Sequence, residues 1–150
     1  MSVSKNFESV YRASIEQPET FWREQAELIE WSKPFETVCD YSNPPFAKWF
    51  VGGETNLCHN AVDRHAAHRP DDAALIFVST ETDTERTYSF RELRDEVQTM
   101  AAVLKGQGVA KGDRVLIYMP MIPEAAFAML ACAFKTAAMV WTSSRNSRKL

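Results

Sequence analysis

The sequence predicts an α/β fold: an N-terminal helical extension followed by an incomplete parallel βαβα unit. Three observations lead there. Residues 73–78 and 114–119 are continuous apolar runs rich in branched side chains, the composition of strands buried on both faces. Each run precedes a segment with helical features, residues 90–105 and 123–133. The resulting order of strand, helix, strand, helix is that of a parallel unit.

Composition bounds the function classes. With 150 residues, 45% of them hydrophobic, 11% aromatic and 25% charged, the chain has the make-up of one globular domain at most. Disordered and low-complexity classes are excluded. Seventeen basic against 20 acidic residues give a net charge of −3, which offers no electrostatic footprint for nucleic acid. The charge is uneven, because residues 135–150 hold Lys135, Arg145, Arg148 and Lys149 and no acid. Cys39, Cys58 and Cys132 are an odd set without a Cys-x-x-Cys spacing, and no signal-peptide pattern precedes them. Reduced thiols in a cytoplasmic protein are therefore expected.

Each element has its own justification. Phe7, Val10, Tyr11 and Ile15 mark a first helix; Pro18, placed for a first turn, opens a second that continues through Phe21, Trp22, Leu28 and Ile29. Between residues 32 and 53, Pro34, Asn43-Pro44-Pro45 and Gly52-Gly53 forbid a helix. That stretch reads as a linker on irregular backbone, strapped down by Phe35, Phe46, Trp49 and Phe50. A helix over 57–68 follows, with Leu57, Ala61 and Val62 inward and Arg69-Pro70 closing it. The polar residues 79–85 turn the first strong strand into a short second one at 86–88, a hairpin.

Ser89-Phe90-Arg91-Glu92 is a capping box, so a helix starts there. Phe90, Leu93, Val97, Met100, Ala101 and Leu104 form its apolar stripe, and Gly106 and Gly108 supply its left-handed stop. Pro123 starts the last helix. Three segments result: a helical extension and linker over 1–53, the truncated start of a larger domain over 54–134, and a chemically foreign tail over 135–150. Two strong strands and one short one do not make a complete sheet. The missing neighbours are not expected in residues 135–150.

Several motifs invite functional readings that their context refuses. Gly106-x-Gly108 closes a helix, whereas a phosphate cradle follows a strand and opens one. His65 and His68 share a helix face, but His59 lies well around it and no acidic ligand completes a zinc spacing. Cys58 and His59 point about 100° apart on a helix, too far to pair as thiolate and base, so Cys58 is structural. Residues 115–134 are apolar except for Glu124, yet Pro120 and Pro123 cut them into strand and helix rather than a membrane span.

Several stretches carry a resemblance: residues 45–50, Gly52-Gly53, 55–64 (Thr-Asn-Leu-Cys-His-Asn-Ala-Val-Asp-Arg), 87–90, Glu92-Leu93, 112–115 and 118–125 (Tyr-Met-Pro-Met-Ile-Pro-Glu-Ala). In unbroken order over residues 6–133 they resemble the N-terminal part of the acetate/propionate branch of AMP-forming acyl-CoA synthetases, and the 55–64 stretch looks more like the propionyl-CoA members. The resemblance implies the large N-terminal domain of adenylate-forming enzymes. It also implies an activity: propionate or acetate, ATP and CoA become acyl-CoA, AMP and pyrophosphate, with Mg²⁺. The Gly-rich phosphate loop, the acyl pocket and the C-terminal catalytic lysine of that family have no counterpart in these residues. No catalytic, cofactor-binding or metal residue is therefore carried over, and the chain is expected to be inactive alone. After Ala133 the family pattern stops, which with the basic tail suggests a reading frame disrupted near codon 134. Two rival readings are an interaction module that binds a full-length synthetase or another partner, and a tail-anchored membrane protein using residues 121–141.

Overall fold

The computed structural model describes residues 3–134 and 138–143, the side chains of residues 3–6 and 138–143 excepted. It divides into two compact units, residues 1–55 and 56–150.

The first unit holds helices α1 (Val3–Glu16) and α2 (Pro18–Ala26) and strands β1 (Thr37–Asn43) and β2 (Phe46–Val51). Pro18 does open α2, but the helix stops at Ala26, so Leu28 and Ile29 fall in the turn beyond it and stay exposed. The expected irregular linker is instead an antiparallel hairpin, β1 against β2, with a register shift near its turn and Pro44-Pro45 in that turn. The breakers that exclude a helix sit at the ends of the two strands, where they cost no ladder hydrogen bond.

Aromatic contacts hold this unit. The rings of Trp31, Phe35 and Phe50 lie 5.2 to 5.5 Å apart, and Trp49 meets both Phe50 and Trp22. Trp31 also donates its indole N–H to the Ala26 carbonyl at 2.9 Å, tying the cluster to the end of α2. Gly53 is needed here for space, because a Cβ would stand 2.8 Å from the Trp31 ring.

The second unit begins with a helical stretch over 57–68, formed by a π turn (His59–Asp63) running into α3 (Arg64–His68). Its inward face differs from the one expected. Leu57 and Ala61 are exposed, while Cys58, Val62 and Ala66 are buried. The spacing of four between these three suits a stretch wound wider than 3.6 residues per turn. Strand β3 (Ala73–Ser79) turns back as β4 (Thr84–Ser89), the expected hairpin.

Helix α4 (Phe90–Gly106) carries the full capping box: the Glu92 N–H donates to Ser89 Oγ at 3.2 Å and the Ser89 N–H donates to Glu92 Oε2 at 2.8 Å. At its other end Gly106 is still helical, and Gly108 alone takes the left-handed conformation, φ +87°. The N–H of Gly108 reaches the Lys105 carbonyl and that of Val109 the Leu104 carbonyl, a Schellman stop. Leu93, Val97 and Ala101 of α4 pack with Cys58, Val62, Tyr88, Phe127 and Ala131 as the core.

Strand β5 (Arg114–Met119) is followed by α5 (Pro123–Phe134) and β6 (Ala138–Ser143). Here two expectations are corrected. The parallel pair is β5 with β6, while β3 and β5 share no sheet among the described residues. The neighbour of β5 thus comes from residues 135–150, the segment set outside the unit on its charge and composition. Charge does not decide pairing, and Met139-Val140-Trp141 has the apolar, branched and aromatic make-up of a strand. The expectation about the rest of the tail lies outside the described residues. Nor are the strong strands buried on both faces: Ile76, Val78, Leu116 and Tyr118 are 62 to 72% exposed.

Candidate functional site

A cleft of about 940 Å³ opens in the second unit between the far end of the β3–β4 hairpin and the turn joining β5 to α5. Antiparallel register places Phe77 opposite Arg86 and Ser79 opposite Thr84 on the hairpin side. The other wall is Pro120 to Glu124, where Pro123 starts α5 and Glu124 lies in its first turn. The Arg86 guanidinium stands 4.2 Å above the centre of the Tyr88 ring, and Tyr88 itself meets Phe127 edge-on at 5.3 Å. A buried aromatic pair thereby carries a cation at the cleft.

Beside it lies a second groove of about 210 Å³ with apolar side chains along it, Leu75, Ile76, Met121, Ile122 and Met129 among them. The polar cleft can hold hydroxyl-bearing or charged groups, and the apolar groove can receive side chains. Sequence reasoning missed Arg86 and Glu124 as cleft residues. No signal in the sequence pairs them, because they lie on elements that only the tertiary structure brings to one cleft.

The cysteines, histidines and glycines weighed from sequence are not among the residues lining this cleft. Cys58 is fully buried in the core, and burial first, then the Asp63 charge, pushes its thiol up to about 12. Burial raises the Cys132 thiol in the same way. His59 is exposed; the His65 ring lies tilted against Phe90 at 5.1 Å, and His68 Nδ1 lies 2.7 Å from the Arg64 carbonyl. Among the described residues, no group of three or more His, Cys, Asp or Glu side chains could hold a metal ion. A Cβ on Gly106 or Gly108 would meet nothing within 4 Å, so these glycines make no close cradle.

Residues 115–134 form a strand and a 12-residue helix, and at 1.5 Å per residue α5 is far short of a bilayer. No described helix is long and apolar enough to cross a membrane.

Two of the stretches that carry the family resemblance, 87–90 and 118–125, meet at this cleft through Tyr88 and Pro120 to Glu124. Comparison with known proteins agrees with that resemblance. The family model described as acetyl-coenzyme A synthetase N-terminus matches residues 7–61, and the model described as AMP-binding enzyme matches residues 62–149. The propionate–CoA ligase of Salmonella typhimurium is 57% identical over 128 residues, and the acetyl-coenzyme A synthetase of Methylobacterium radiotolerans is 48% identical over 130. Each alignment takes 85% of this chain and 20% of the relative, so the chain spans about a fifth of the length of these curated relatives. The solved acetoacetyl-CoA synthetase from Streptomyces lividans superposes with a TM-score of 0.79 at 36% identity, over 88% of this chain and 20% of that one. The chain belongs to the AMP-binding enzyme family, with an N-terminus of the acetyl-CoA synthetase type.

Proposed function

We propose that this chain is the N-terminal segment of a short-chain acyl-CoA ligase that converts propionate or acetate, ATP and CoA to acyl-CoA, AMP and pyrophosphate, and that the segment is silent by itself. The observation carrying this reading is the unbroken pair of family matches combined with 57% identity to a propionate–CoA ligase over 128 residues. The higher identity to the propionate enzyme than to the acetate one favours propionate.

The chemistry explains why a segment of this kind is inactive. A carboxylate becomes an acyl donor only when its oxygen is turned into a leaving group, which requires the nucleotide, its phosphate-binding groups and the carboxylate pocket in one place. In the family that the chain resembles, the Gly-rich phosphate loop and the acyl pocket belong to segments with no counterpart in these residues. What the segment contributes is a wall: the β3–β4 hairpin and the β5–α5 turn, locked on the α4 core.

Two experiments test this. The purified chain, given propionate, ATP, Mg²⁺ and CoA, is expected to form no propionyl-hydroxamate, and turnover would overturn its silence. A chimera in which residues matching the Salmonella ligase replace that ligase's own segment is expected to keep propionate-dependent activity within about tenfold. A folded but inactive chimera would overturn the family role.

A further inference from the structure

We draw no further inference here: the strongest candidate, the cleft between the β3–β4 hairpin and the β5–α5 turn where Arg86 stands over the Tyr88 ring, belongs to the site already described, and nothing among the described residues shows what fills it.

Discussion

Cys58 is the residue whose chemistry the tertiary structure decides most clearly. Beside His59 in sequence it invites comparison with a nucleophile and its base, yet it is fully buried and its thiol is pushed up to about 12, so at neutral pH it is a protonated, apolar group. A folded sample titrated with an aromatic disulfide reagent at pH 8 should label Cys39, which is partly exposed, and leave Cys58 and Cys132 unlabelled until denaturant is added. Rapid native labelling of Cys58 would contradict the packing described. Cys58→Ser should destabilise rather than inactivate, since it puts a hydroxyl among Val62, Val97 and Phe127.

Helix α4 is the element on which the second unit is built, and its two ends show how local chemistry sets an element. Ser89→Ala removes the acceptor for the Glu92 amide and should cost about 1 kcal/mol, read as a lower denaturation midpoint. Hydrogen bonds from the Ser89 backbone N–H, then from its hydroxyl, lower the Glu92 carboxyl below its ordinary value. A carboxyl depressed on folding adds stability above its unfolded pKa of about 4.3, and that contribution is lost as pH falls through the folded value. The melting temperature should therefore decline on acidification below about pH 5, and Glu92→Gln should flatten part of that decline. An unchanged slope in Glu92→Gln would remove the box as its cause.

At the scale of the whole molecule, each unit has its own packing, one aromatic and one built on α4, and each sheet among the described residues is two-stranded. With Leu116, Tyr118, Ile76 and Val78 bare, the chain alone should bind a hydrophobic dye, broaden its thermal transition and aggregate on heating. A sharp, reversible melt of a monomer without dye binding would refute this.

Elements governed by local rules were legible in the sequence. The capping box at Ser89, the Schellman stop near Gly108, Pro18 and Pro123 at helix starts and the 73–89 hairpin follow from interactions within a few residues. So does the family, because residues 55–64 and 118–125 are specific strings. Pairing and burial were not legible, for they depend on what lies across from an element. The same apolar run reads as buried on both faces whether or not its covering layer is present, and β6 hides in a basic tail because its partner β5 is distant in sequence. The hairpin at 37–51 is not legible in the sequence, because prolines read as breakers until pairing shows that they sit at the strand ends. The cleft between Arg86 and Glu124 needed two elements brought together, and only tertiary structure does that.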